Sequence, residues 1–384
     1  MNDRRTLSFI SELGGFLRCH AFTVQGPTIQ MEHLHLCIGH AKPCPPEFRY
    51  LPLRKGYTSM RRTLLLVAKA ATSILLLYLS LRWVDVRSLT ERLSRLDPNW
   101  MAFALFLMMI QVAVLAARWR EIAAACGANL SLTSAVQISF IAAFFNQVLP
   151  STIGGDGVRI WLLARRGAGW AKAAYSVLID RIVGVFALAI IVVACLPWTF
   201  ELIHDPIARA LLLFVGFGVV VATFLFTLIG TRYRQFFARW MLTRHLSAAS
   251  RAAVTLCSSV RLISIVVGCS LVIHLLTIIV AWCCIRAIAA PVSFIQLLFL
   301  MPPVLLVATI PISIAGWGVR ESSMIVAFAY AGLAESNGLT LSILFGAASF
   351  AVGVVGGIVW VISGLRVRSL VRAVAKADAF AEKS

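Results

Sequence analysis

Charged side chains are scarce in this 384-residue chain, at 13% of positions, and only 16 residues are acidic. Soluble domains carry about 25% charged residues, so that scarcity excludes a soluble globular protein. Hydrophilic stretches are also short. The longest are 1–62 and 230–261, which leaves no room for a soluble catalytic domain. The nucleotide-binding run GxxxxGK[ST] and the hydrolase runs HExxH and GxSxG do not occur. Without an ATP site, transport by such a chain would be passive or ion-coupled. No cleavable signal peptide is expected, because the first apolar run starts at Thr63 and is too long for one.

What remains is hydrocarbon and base. Hydrophobic residues make up 60% of the chain and mean hydropathy is +0.88. Lys and Arg outnumber Asp and Glu by 35 to 16, and the cations cluster at the ends of apolar runs. That pattern points to membrane topology and anionic lipid head groups rather than nucleic acid. A membrane-spanning helix needs about 20 mostly apolar residues. Six runs qualify: 63–81, 101–117, 172–196, 207–229, 262–285 and 338–362. Two others, 132–149 and 293–313, run into Pro/Gly breaks.

Residues 1–59 hold four of the seven histidines and three of the nine cysteines. The His/Cys run HLHLCIGHAKPC matches no usual zinc spacing. The segment reads as a disordered tail or a mis-assigned translation start ahead of Met60, and no metal or cofactor is expected. The other cysteines serve as small hydrophobes.

The chain contains an internal repeat. PSTIGGDGVR from Pro150 and PISIAGWGVR from Pro311 align at an offset of 161 residues, pairing Gly155 with Gly316, Gly157 with Gly318 and Arg159 with Arg320. The same offset carries 101–117 onto the start of 262–285, and 172–196 onto the last run. The repeat units are about 101–196 and 262–362. Loop 230–261 and the tail 366–384 are basic, whereas 197–206 carries Glu201 and Asp205. Basic loops face the cytoplasm, and Arg118 with Arg120 would place the end of run 101–117 there too. The expected fold is therefore an all-α membrane protein of about six transmembrane helices plus two re-entrant helical hairpins, arranged as an inverted-topology repeat.

Irregular backbone at membrane depth is tolerated only where protein or a water-filled cavity covers it. Gly154, Gly155, Gly157, Gly316 and Gly318 would allow tight turns and close approach, and Pro302 and Pro303 would interrupt helical bonding. Freed N–H groups at the following helix starts favour an anion. Charges within the membrane are costly and commonly functional or paired. Arg159 and Arg320 are thus candidate holders of a lipid phosphate, or else snorkel to an interface. Asp156, Asp180 and Glu321 are their candidate partners, and Arg181 is a further candidate for the substrate. Adjacent Asp180 and Arg181 need separate partners. Asn146 and Gln147 are placed to satisfy freed backbone groups, and His274 to be packed or hydrogen-bonded.

FFNQVLPSTIGGDGVRIWLLARRG followed by SVLIDRIVG resembles the flippase-like membrane region of the lysylphosphatidylglycerol synthase family. The resemblance covers about residues 63–365. It implies a domain that moves an amphiphilic lipid (a phospholipid, an aminoacyl-phospholipid or an isoprenoid-linked lipid) across the bacterial inner membrane. In full-length synthases a C-terminal soluble domain makes the lipid. No such domain is read here, so the chain is expected not to be an enzyme. The alternative is a non-catalytic membrane partner of a separate glycosyl- or aminoacyl-transferase.

Overall fold

The computed structural model describes residues 96–149, 154–231, 241–309 and 317–364, with the side chains of 229–231 and 241–246 set aside. The extension 1–59, the run 63–81, the tail and the tip residues 150–153 and 310–316, Gly316 among them, lie outside the described residues. The described chain is helical, with no strand.

Four helical elements come first: α1 (Pro98–Ala125), α2 (Leu132–Val148), α3 (Gly154–Leu163) and α4 (Trp170–Leu202). A π-helical turn at Ala164–Ala168, with Gly167 and Gly169 at positive φ, links α3 to α4. Next come α5 (Pro206–Thr231) and α6 (Met241–Ser258). The order of long, short, short and long then recurs: α7 (Val260–Ala287), α8 (Phe294–Ala308), α9 (Val319–Tyr330) and α10 (Glu335–Ile362). Five helices, namely α1, α4, α5, α7 and α10, are long and apolar enough to cross a membrane. The sixth expected span is the undescribed 63–81. At 1.5 Å per residue, α2 and α3 reach only about 26 and 15 Å, short of a roughly 30 Å hydrocarbon core.

Local chemistry sets the starts. Asp97 caps α1 by accepting from Asn99 N–H, Ser131 accepts from Ser134 N–H at α2, and Ser293 and Gln296 form a capping box at α8. Three expectations change. Pro302 and Pro303 lie inside a continuous α8, and α4 runs through Pro197 to Leu202, so Glu201 is helical. The basic loop 230–261 contains helix α6. Neighbouring helices re-satisfy the bonds a proline removes within a membrane.

α1 and α7 run antiparallel. Asp97 N–H donates to Ala287 O, Gln111 Nε2 donates to Thr277 Oγ1, and Arg118 donates to Ser270 Oγ. As numbers rise on α1 they fall on α7. The other packing pairs come in matching sets: α1–α2 with α7–α8, α2–α3 with α8–α9, α3–α4 with α9–α10, and α2–α10 with α8–α4. At α2–α10 the backbones approach closely, since a Cβ on Gly356 would lie 1.9 Å from Phe140 O. Small residues permit such packing in membranes. One buried cluster joins α1 to α2, α3 and the start of α4, and a larger one joins α7 to α8, α9 and α10. Outward, α5 exposes Phe214 and Phe224, a surface suited to lipid.

Candidate functional site

Two polar clusters interrupt this apolar packing, one around each of the aligned arginines. The first gathers residues from α1, α3 and α4. Asp180 on α4 accepts from Arg118 Nε at 3.0 Å and from Arg159 Nη2 at 2.9 Å. Asp156, in the first turn of α3, accepts from Arg181 Nε at 2.6 Å and Nη2 at 3.0 Å, and lies 3.5 Å from Arg159 Nη1. The result is an alternating chain, Arg118–Asp180–Arg159–Asp156–Arg181, with an arginine at each end. Arg118, Asp156, Arg159 and Asp180 are buried, whereas the side chain of Arg181 is half-exposed. Three arginines and two aspartates leave a net charge of +1. The Arg159 guanidinium also sits 4.3 Å from the centre of the Trp119 ring, a favourable cation–π placement.

Glycines make room for this chain. A Cβ on Gly184 would come within 3.3 Å of Arg118 Nη2, and the Gly184 carbonyl lies 3.1 Å from His274 Nε2. A Cβ on Gly155 would lie 2.3 Å from Ala142 O, and Gly155 N–H donates to Asn146 Oδ1 at 2.9 Å. The two quoted motifs thus meet in space. Asn146, Gly155, Asp156 and Arg159 come from one, and Asp180, Arg181 and Gly184 from the other.

A cavity of about 250 Å³ adjoins the cluster. Asn146, Asp156, Arg159, Asp180 and Arg181 line it, with Arg118, Ser139 and His274, and Val112, Leu115, Leu188 and Ile273 form an apolar wall. It can therefore take a charged group beside hydrocarbon. Ser139 Oγ and Arg159 Nε are buried without hydrogen-bond partners among the described residues. Gly154 and Gly157 do not line the cavity, and nothing lies within 4 Å of a Cβ built at Gly157.

The second cluster is closed. Arg320 Nε donates to Ser342 Oγ at 2.9 Å and Arg320 Nη2 to Glu321 Oε1 at 2.8 Å. Ser342 Oγ donates to the same oxygen, and Gly318 N–H donates to Glu321 Oε2. The guanidinium stacks near Trp317 and Phe345, at 5.3 and 5.6 Å. Gly318 holds a φ of +87° at the start of α9, a conformation suited to glycine. Arg320 and Glu321 do not line the cavity. Arg159 and Arg320 therefore do not share that cavity: each has its own acid. The helix starts are engaged internally too, by Asn146 on Gly155 N–H and Glu321 on Gly318 N–H.

Sequence reasoning placed Arg118 at an interface, and the structure buries it against Asp180 and Ser270. Its signal was present: α1 continues past Arg120 through IAAA, so Arg118 lies well inside a helix. Trp119, Ser139 and Ser270 carried no such signal.

A family model described as the lysylphosphatidylglycerol synthase TM region matches residues 66–357. A UPF0104 membrane protein of Pyrococcus horikoshii is 25% identical over 166 residues, which is 42% of this chain and 47% of that protein. The match thus spans about half of that relative's length.

Proposed function

The chain belongs to the lysylphosphatidylglycerol synthase TM-region family, and on that footing we propose that it is a lipid transporter acting without ATP. An amphiphile places its anionic head in the cavity beside Arg159 and Arg181 while its tail stays in the bilayer. The observation that carries this reading is the five-residue ion chain of net charge +1, four of its members buried and Arg181 half-exposed, opening on a cavity with an apolar wall. A charged residue within a membrane costs roughly 2.5–3.5 kcal/mol on insertion scales, so ion pairs held inside an apolar bundle are commonly functional.

Antiparallel α1 and α7 and the matching packing sets support an inverted-topology repeat. In that arrangement α2–α3 and α8–α9 are re-entrant hairpins entering from opposite faces, and the broken segments meet a midplane site. Arg165, Arg166 and Lys172 sit at the end of the molecule where Arg166 meets Gln137 and Lys172 meets Gly127. By the positive-inside rule that end faces the cytoplasm of the bacterial inner membrane, and the C-terminus lies on the same side.

The test is translocation of a head-group-labelled phosphatidylglycerol in liposomes, followed by quenching from outside. Purified protein is expected to equilibrate the label between leaflets, and Arg159→Ala to return the rate to that of protein-free liposomes. Wild-type rates no faster than protein-free ones would overturn the transport role.

A further inference from the structure

The cavity has two buried donors without partners among the described residues, Arg159 Nε on α3 and Ser139 Oγ on α2. Buried polar groups are normally satisfied, and each exception needs an explanation. Two more donors face the same space. Arg181 is half-exposed beyond its bonds to Asp156, and Asn146 has its Oδ1 engaged by Gly155, which leaves Nδ2 to donate. All four groups donate, and they converge from α2, α3 and α4. That set is built for an acceptor with several oxygens.

The charge of the cluster limits which acceptor. Asp180 is fully used by Arg118 and Arg159, and Asp156 by Arg181 with Arg159 nearby. Three arginines against two aspartates leave one positive charge over. The four buried members balance, so the half-exposed Arg181 carries the surplus at the edge of the cluster, where it is open to a ligand's charge. One negative charge neutralises the cluster, whereas two or three leave a buried anion in excess beside Asp156.

Resting on the lipid-site reading above, we propose that the cavity selects lipids whose head carries a single net negative charge on a phosphodiester, and rejects lipid diphosphates. Phosphodiester oxygens accept from Arg159 Nε, Ser139 Oγ and Arg181, and the glycerol-linked tails run along the Val112 and Leu188 wall. The charge set is adjustable by single substitutions: Asp156→Asn makes the cluster +2, and Arg181→Gln makes it neutral.

Native mass spectrometry of the full chain reads this directly. The protein in detergent is offered equal amounts of phosphatidylglycerol, undecaprenyl diphosphate and phosphatidylcholine, with soluble glycerophosphoglycerol in a separate arm to distinguish a free head group from a whole lipid. Wild type is expected to retain phosphatidylglycerol over both other lipids by roughly tenfold, the size of one charge-assisted contact set, and to retain no glycerophosphoglycerol. Asp156→Asn is expected to shift retention toward the diphosphate, and Arg181→Gln toward phosphatidylcholine. Ser139→Ala, which leaves every ion pair intact, is expected to weaken phosphatidylglycerol retention without changing the order. An unchanged order in both charge variants, each eluting as a monodisperse species, would overturn the charge rule while leaving a lipid site in place. Retention of no lipid of any class would overturn the lipid site itself, and retention of glycerophosphoglycerol alone would overturn the lipid source.

Discussion

The two aligned sequence motifs place their arginines in different surroundings. Arg159 and Arg320 are equivalent by sequence, yet Arg159 sits in a chain of five charges beside a cavity and Arg320 in a closed pair. The offset of 161 explains the divergence. Asp180 corresponds to Leu341, Arg118 to Ile279, Arg181 to Ser342 and Gly184 to Phe345. The second segment has no counterpart of either aspartate, since Trp317 stands at the place of Asp156, nor of those two arginines, and Glu321 beside Arg320 supplies an acid. Ser342 and Phe345 occupy the places of Arg181 and Gly184 and contact the same guanidinium. Two similar sequence motifs with different charged neighbours thus give a polar cavity in one segment and a closed ion pair in the other.

Orientation gives the largest contrast, because it is all-or-none. With Cys19, Cys37, Cys44 and the exposed Cys257 replaced by serine, cysteines introduced at Asp205 and Arg166 are expected to react with a membrane-impermeant maleimide from opposite faces. Labelling of both from one face would break the inverted relation between the halves.

Stability comes next. Asp180→Ala leaves Arg118 and Arg159 buried without their carboxylate, and breaking a buried pair costs about 3–5 kcal/mol. Glu321→Ala removes the partner of one arginine and of Gly318 N–H. Both variants are expected to lower the detergent melting temperature, Asp180→Ala more. Equal, small shifts would show that the ion chain is not held as described.

Function separates the clusters more finely. Loss of a hydrogen bond to a charged group is worth roughly 1.5–3 kcal/mol, so Arg159→Lys is expected to slow translocation by about tenfold or more. Ser342→Ala, confined to the closed cluster, is expected to stay within about twofold of wild type. A larger loss in Ser342→Ala than in Arg159→Lys would reverse the assignment of roles.

Glycine substitutions give the smallest effects. Gly356→Ala drives a methyl into Phe140 O and is expected to cost about 1–3 kcal/mol by overpacking. Gly157→Ala meets open space in a helix and is expected to be neutral or to stabilise by about 0.5–1 kcal/mol. Thermal unfolding of the pair measures this.

Much of this was legible before any coordinates. The apolar runs marked the five long helices, because hydrocarbon thickness fixes the length of a span. Asp180 and Arg181 found separate partners, as neighbours on a helix must, and Asp156 lies beside Arg159 as a candidate partner should. The rest depended on contacts far apart in the chain. Arg118 looked like a topology marker because charge at the end of an apolar run usually is one, and only the neighbouring Asp180 reveals its role. The prolines of α8 looked like breaks because sequence shows the bond a proline removes and not the helices around it. Helix α6 was hidden because its polar face made the segment read as loop.

The most direct test of the central claim is to map a photoreactive phosphatidylglycerol with the diazirine on its head group. After illumination in nanodiscs and proteolysis, the account predicts label on α2, α3 or α4 near Ser139, Arg159 and Arg181, and its loss in Arg159→Ala. Label concentrated near Trp317, Arg320 and Ser342 would contradict it.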